Sequence, residues 1–146
     1  MKTAKIILLS STIMLFWGNS FAQKPMVDGA WKINSIKDSG KMIDLRATET
    51  TVEMNAKGKS ILVYLGCNRL TAKLEFITGD KIKPFELAAT RKACKDEKEQ
   101  LESVARYVLE QTNSIRKSGA KMEFYKDNDI LMVLERPVVN SKHHKK

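Results

Sequence analysis

The chain has 146 residues, which is enough for one domain with one hydrophobic core. Its formal net charge of +9 favours acidic partners, such as anionic lipid headgroups or envelope polymers. Aromatic residues make up only 7% of the chain and mostly lie in apolar strand patterns, whereas a nucleic-acid-binding surface needs aromatics among basic residues. The composition therefore allows peripheral contact with an anionic membrane surface, and nucleic acid is not an expected partner.

The first residues, 1–22, have the pattern of a secretory signal peptide. Two lysines precede an apolar core at residues 6–17, and Ser20-Phe21-Ala22 forms a small-x-small cleavage site. We therefore predict export to the periplasm or the exterior, with the mature chain starting at Gln23. The apolar core is shorter than the roughly 20 residues needed to span a bilayer, so an uncleaved N-terminal anchor is the less favoured alternative.

The mature chain opens with patterns typical of antiparallel strands. Trp31 and Ile33 alternate with polar residues, and residues 51–55 alternate again. The apolar run over residues 60–65 predicts a central strand. Residues 35–44 are rich in Lys, Ser, Gly and Asp, and this composition predicts a loop.

Further strands are predicted on both sides of a single helix. Alternation over residues 70–76 predicts one strand, and Pro84 predicts that the following strand is at an edge, because proline cannot donate a ladder hydrogen bond. Apolar residues at helical spacing predict a helix over residues 96–111, with Asp96 and Glu99 at capping-box spacing. The remaining strands are predicted at residues 81–88, 114–117, 121–126 and 130–136.

Short turns between these strands predict an antiparallel sheet. The fold class is therefore mainly β: a strongly curved sheet or partly closed β-barrel of about seven or eight strands, with one helix that covers an end or a face. The predicted domain covers residues 23–136. The basic residues 137–146 are expected to form a disordered tail.

The two cysteines, Cys67 and Cys94, lie at the edges of predicted elements. In an exported protein we expect them to form a disulfide, with two buried unpaired thiols as the alternative. The bond would close a loop of about 28 residues and stabilise the fold by about 3–4 kcal/mol. A metal site is not expected, because two cysteines are too few ligands and both histidines lie in the tail.

Three motifs give the chain a resemblance to a known family. With Gly29-x-Trp31, Gly66-Cys67-Asn68-Arg69 and Thr90-x-x-Ala93-Cys94, followed by the helix and a closing hairpin, the chain resembles the META domain family of HslJ-like heat-shock proteins. The resemblance implies an antiparallel barrel-like fold with one helix, a cell-envelope location and a link to stress or drug tolerance. It implies no enzymatic reaction. Lys92 stands where this family usually has methionine.

The motif side chains have both structural and functional interpretations. We expect Asn68 to fix a turn through its side chain, with a role in binding as the alternative. Arg69 is expected to be exposed and paired with an acid such as Glu75, although it could bind an anionic ligand. Thr90 is expected to hydrogen-bond the backbone near the helix entrance. Trp31 is interpreted as a core side chain and less readily as a ligand-stacking platform.

No catalytic residues and no cofactor are expected. The domain contains no histidine for a Ser-His-Asp or Cys-His set, and the carboxylates near residue 96 suit the helix dipole. We therefore predict a monomeric, non-enzymatic envelope protein that acts as a stress-linked binding or stabilising module. The alternatives are a carrier of a small apolar ligand or lipid inside the barrel, and a periplasmic adaptor or inhibitor of another protein.

Overall fold

The computed structural model describes residues 27–138. The predicted signal peptide and residues 139–146 of the predicted tail lie outside this range. The described residues form nine strands and one helix in the order β1 (Gly29–Asp38), β2 (Lys41–Asp44), β3 (Thr51–Asn55), β4 (Ser60–Tyr64), β5 (Arg69–Phe76), β6 (Ile82–Ala89), α1 (Asp96–Gln111), β7 (Ser114–Ser118), β8 (Lys121–Lys126) and β9 (Asp129–Glu135).

The strands form one curved antiparallel sheet in the order β6-β5-β4-β3-β1-β9-β8-β7, and β2 pairs with β1 beside this path. The edge strands β6 and β7 approach each other at one end only. A bridge joins Lys81 to Ser114, and the Ile82 N–H donates to the Asn113 carbonyl at 3.1 Å. The sheet is therefore not closed, and the predicted mainly β class with one helix is confirmed. Strand β6, which contains Pro84, lies at an edge as predicted.

The loop predicted at residues 35–44 is wrong, because this segment is the hairpin of β1 and β2. A register shift beside Asn34 interrupts the pairing of β1 with β9. As a result Ile33 and Ile36, three positions apart, are both fully buried, and the two-residue alternation that identifies a strand is lost. Ser39 and Gly40 form the turn with φ of 46° and 86°.

The helix covers the core with the apolar stripe that its sequence predicts. Ala105, Val108 and Leu109 are buried, and the helix contacts β1 and β6. Removing this stripe from water is the main reason for the helix to dock on the sheet. The hydrophobic core to which this stripe belongs also includes Trp31, Ile33, Val52, Val63, Leu74, Phe124 and Leu134.

The predicted capping box is absent at the helix start. The N-cap residue is Lys95, with extended backbone angles of φ −70° and ψ 146°, and its side chain makes no capping hydrogen bond. Asp96 is already inside the first turn, so it cannot cap that turn. Asp96, Glu97 and Glu99 nevertheless place negative charge at the positive end of the helix dipole.

Candidate binding groove beside the Gly-Cys-Asn turn

The disulfide between Cys67 and Cys94 ties the β4–β5 connection to the segment before α1, with a Cα–Cα distance of 6.1 Å. The residue before it, Gly66, has φ of 93°, a conformation that side chains other than glycine rarely adopt. Lys98 of α1 donates its Nζ to the Gly66 carbonyl at 2.9 Å. The helix start is therefore held to this turn both covalently and by a hydrogen bond.

The amide of Asn68 is the centre of the contacts around the disulfide, and Asn68 is only 8% exposed. Its Oδ1 accepts from the Thr90 hydroxyl at 3.0 Å and from the Lys92 N–H at 2.8 Å. Its Nδ2 donates to Glu102 Oε2 at 2.9 Å, to the Lys92 carbonyl at 3.3 Å and to Cys94 Sγ at 3.1 Å. One side chain thus joins the turn, the following loop and the helix.

Glu102 completes this arrangement from the helix side. Its Oε1 accepts the backbone N–H of Asn68 at 2.5 Å while Oε2 accepts the side-chain amide. Sequence reasoning missed this residue because helical periodicity puts it on the polar face. We call Asn68, Thr90, Lys92 and Glu102 the Asn68 cluster.

Two motif positions act in this cluster through their backbones. Lys92 contributes its N–H and its carbonyl to Asn68. Arg69 donates its N–H to the Thr90 hydroxyl at 3.0 Å and accepts the Thr90 N–H, also at 3.0 Å. The expected backbone contact of Thr90 is therefore present. Because Lys92 contacts Asn68 only through its backbone, a lysine can stand where methionine is usual without loss of these hydrogen bonds.

The expected ion pair between Arg69 and Glu75 is absent from the described residues. Both residues belong to β5, and six positions along a strand separate them by about 20 Å. The Arg69 side chain is exposed, and Ala93 is also exposed in the loop before the disulfide.

An open groove of about 410 Å³ lies between α1 and the loop that contains Thr90. We call it the motif groove. Arg91, Lys92 and Arg106 bring three positive charges to its lining, and Glu99 and Glu102 bring two negative charges. Within residues 27–138, none of these three cations forms an ion pair, and Arg106 is half-buried. The groove can therefore offer its cations to an incoming anionic group.

A metal centre does not fit these residues. Ligand atoms of Cys67, Cys94 and Glu102 lie within 4.8 Å of one another. The two sulfurs are bonded to each other, however, and a disulfide offers no thiolate to a metal ion. The motif groove beside them can instead hold a ligand by charge and hydrogen bonds.

The other motif surrounds Trp31, which is 1% exposed and therefore belongs to the core, as expected. Its indole N–H donates to the Val27 carbonyl at 2.9 Å. The guanidinium carbon of Arg136 lies 3.8 Å from the centroid of its ring, in cation–π geometry. Sequence reasoning missed Arg136, which follows the last strand.

Arg136 also fastens the first strand to the end of the last. Its guanidinium donates to the Ala30 carbonyl at 3.1 Å and to the Asp28 carbonyl at 2.5 Å. Gly29 has φ of 98°, and a Cβ atom there would lie 2.8 Å from Arg136 Nη1. Glycine therefore suits the backbone angle, and any other residue would also have to displace the Arg136 guanidinium from its present position. We call Gly29, Trp31 and Arg136 the Trp31 cluster.

These features define a small antiparallel β protein in which a Gly-Cys-Asn turn is stapled to the start of a single helix. No helix within residues 27–138 is long and apolar enough to cross a membrane. The sequence matches the META domain over residues 24–138, and the chain belongs to this family.

A solved structure supports the same fold. The NMR structure of a protein from Burkholderia xenovorans superimposes with a TM-score of 0.60 and 19% sequence identity, covering 76% of this chain and 83% of that one. At this identity the likeness shows the fold alone. No curated protein matches the chain significantly.

Proposed function

We propose that this META domain protein is exported and acts by binding, with the motif groove as its binding site. One observation carries the proposal. Asn68 and Thr90, which belong to the motifs that give the chain its family resemblance, line the groove beside Arg91, Lys92 and Arg106. The ligand would be a molecule or protein segment that presents an acidic group to these cations.

Export is supported by the disulfide together with the signal-peptide pattern of residues 1–22. Disulfides form and persist in oxidising compartments such as the periplasm and the exterior. The proposed location is therefore the periplasm or the secreted fraction. The link to stress or drug tolerance follows from the family resemblance and is part of the same proposal.

A non-enzymatic role is favoured by the way the polar groups of the groove are used. The Asn68 amide, the Thr90 hydroxyl and the Glu102 carboxylate already bond to one another or to backbone. The Ser103 hydroxyl donates to the Glu99 carbonyl at 3.0 Å. These groups stabilise the walls of the groove, and a nucleophile with an adjacent base is not among them.

A surface site is favoured over a carrier function. Trp31, Val63, Leu65 and Phe124 are at most 1% exposed and belong to the core, where an enclosed ligand would have to compete with them for space. None of them lines the motif groove. The same groove could also bind a segment of another envelope protein, in which case this protein would act as an adaptor. The identity of the captured molecule distinguishes a small ligand from a protein partner.

Affinity capture with matched variants tests this function. The mature protein, Arg106→Glu and Lys57→Glu would each be immobilised and incubated with periplasmic extract. Arg106 lines the groove, whereas Lys57 is exposed in the β3–β4 turn at the other end of β4, and both substitutions change the charge equally. We expect wild type and Lys57→Glu to retain the same molecule and Arg106→Glu to lose it. Equal retention by all three would exclude the groove as the site.

Two further measurements test the remaining parts of the proposal. Mass spectrometry of the fractionated protein should find a chain that starts at Gln23, with its disulfide intact, in the periplasm or medium. A full-length chain in the cytoplasm would contradict export. Turnover of a hydrolase or transferase substrate that Arg106→Glu abolishes would show that the groove is an active site.

A further inference from the structure

A second groove, on another side of α1, has a different chemistry. Its volume is about 650 Å³, and it lies between the helix, the β1–β2 turn and the start of β9. This size is within the range of about 300–1,000 Å³ that is usual for ligand sites. Tyr107 lines it and is 57% exposed. We call it the Tyr107 groove.

Tyr107 offers an aromatic surface that makes no hydrogen bond or ring contact with another side chain among residues 27–138. Its hydroxyl forms none of the hydrogen bonds found within this range, and more than half of the side chain is open to solvent. Exposed aromatic rings pair an apolar face with a polar tip, which suits ligands that are themselves flat and amphipathic. Val104 and Leu131 add apolar surface beside it.

The charges around the ring are balanced. Lys37 forms an ion pair with Asp129, and Lys126 donates to Gln111 Oε1 at 2.5 Å. With Asp38, the lining holds two cations and two carboxylates. The Tyr107 groove therefore has no excess charge, unlike the motif groove, and is not matched to an ionic ligand.

The uncharged polar groups are of a kind that binds hydroxyl groups. Gln100 and Gln111 present amides to the groove. The Gln111 Oε1 accepts from Lys126, which leaves the Gln111 amide N–H groups as donors. The Ser39 and Ser103 hydroxyls donate to Asp38 Oδ1 and to the Glu99 carbonyl, both at 3.0 Å, and can still accept a hydrogen bond from a ligand hydroxyl. A proline-rich peptide is a poorer match, because such peptides dock in grooves lined by several aromatic residues and Tyr107 is alone here.

From the ring, the neutral lining and the amides together, we infer that the Tyr107 groove binds a neutral saccharide. One pyranose ring lies with its C–H face against Tyr107, and its hydroxyls bond to Gln100 and Gln111. The inference does not rest on the motif groove, because the two grooves share Ser103 whereas Gln100, Tyr107 and Gln111 line the Tyr107 groove and do not line the motif groove.

A titration of the full mature protein with neutral trisaccharides tests this site. Amide NMR spectra would be recorded with N,N′,N″-triacetylchitotriose, cellotriose and maltotriose up to about 10 mM, a range that also detects weak binding with a dissociation constant of about 1 mM or somewhat more. We expect at least one sugar to shift the signals of Tyr107 and Gln111 in a saturable manner. Absence of saturable shifts with all three sugars would overturn the inference.

Variants of Tyr107 test whether the sugar contacts its aromatic ring. Tyr107→Ala should weaken binding by at least about tenfold, whereas Tyr107→Phe, which keeps the ring, should bind within about threefold of wild type. Phe85→Ala is the matched control, because Phe85 is also an exposed aromatic residue but lies on β6 and does not line the groove. Equal loss in Phe85→Ala and Tyr107→Ala, or shifts confined to the motif groove, would contradict the assignment.

Salt dependence gives a second readout. Because the lining is neutral, the affinity should change less than about twofold between low and high salt. A steep loss of affinity with salt would indicate an ionic ligand contact and would overturn the proposed chemistry.

Discussion

The Trp31 cluster and the Asn68 cluster each lie next to a glycine of positive φ that is contacted by a cation, but the two clusters have different roles. Beside Trp31 and beside Asn68, a glycine with φ above 90° is approached by a cation from a distant part of the chain: Arg136 at Gly29 and Lys98 at Gly66. In each, the cation donates to carbonyls of the segment that it approaches. The difference lies in what the two clusters surround.

The Trp31 cluster closes around an indole that is 1% exposed, so its contacts serve the core. The Asn68 cluster surrounds an amide that also lines the motif groove. A change in the first cluster should therefore affect stability alone, whereas a change in the second should affect stability and the shape of a surface. The predictions below test this difference, in order of decreasing effect.

The disulfide beside Asn68 should make the largest contribution. Replacing both Cys67 and Cys94 by Ser frees a segment with a sequence separation of 27 residues. The chain-entropy account gives a loss of about 3–4 kcal/mol in the free energy of unfolding. Urea unfolding of oxidised wild type and the double variant measures it. A dithiol reductant should destabilise wild type and leave the variant unchanged; equal midpoints for oxidised wild type and the double variant would contradict the prediction.

Asn68→Ala should cost about 2–3 kcal/mol, because it leaves the Lys92 N–H and one oxygen of the Glu102 carboxylate without their partner. Asn128→Ala is the matched control, since Asn128 is exposed in the β8–β9 turn and should change stability by less than about 0.5 kcal/mol. Urea unfolding measures both. If the two variants were equally stable, the Asn68 amide would not organise the cluster.

Arg136→Ala should cost about 1–2 kcal/mol through loss of the cation–π contact and of the hydrogen bonds to Asp28 and Ala30. Near-ultraviolet circular dichroism should show the change around Trp31. Ligand capture by the motif groove should persist, because Arg136 does not line it. Loss of ligand capture in this variant would contradict the prediction that the Trp31 cluster affects stability alone.

The sequence predicted best what depends on local periodicity. The helix Asp96–Gln111 was predicted with its correct bounds because its buried stripe repeats every three or four residues. The hairpin of β1 and β2 was missed because the irregularity beside Asn34 destroys the alternation. Prediction of a strand from sequence depends on an unbroken two-residue alternation of buried and exposed side chains, and a β-bulge interrupts that alternation.

The site was predicted only in part, because one member of each cluster lies outside the motifs and far along the chain from the residue that it contacts. Asn68 and Trp31 belong to recognisable motifs. Their partners Glu102 and Arg136 do not, since Glu102 lies 34 residues from Asn68 and Arg136 bonds to Ala30 across 106 residues. Helical spacing places Glu102 on a solvent face, and no single-sequence signal marks it as the partner of the turn.

The dependence of stability on acid pH should depend on Glu123 of β8, which belongs to neither cluster. Hydrogen bonds from Lys121 and from the Tyr125 hydroxyl, with the nearby positive charge, hold the pKa of the Glu123 carboxyl below its usual value. A lowered folded-state pKa adds stability that is present above the unfolded pKa of about 4.3 and is lost as the pH falls through the folded value.

Glu123→Gln should therefore lose less stability than wild type between about pH 5 and pH 3. Urea midpoints at several pH values measure this difference. The Arg136→Ala variant should keep the wild-type slope, because Arg136 is not among the groups that lower the pKa of Glu123. Parallel slopes for Glu123→Gln and wild type would show that Glu123 does not contribute to acid sensitivity.

The smallest effect on stability is expected at Lys92, although it is a member of the Asn68 cluster. Its N–H and carbonyl contact Asn68, and its side chain is exposed. Lys92→Met, which introduces the residue usual in the family, should therefore change the free energy of unfolding by less than about 0.5 kcal/mol. It should nevertheless weaken capture of an acidic ligand, because it removes one of three cations from the motif groove. A variant that lost stability instead of capture would mean that the lysine side chain supports the loop, and the groove would then depend on it for shape and not for charge.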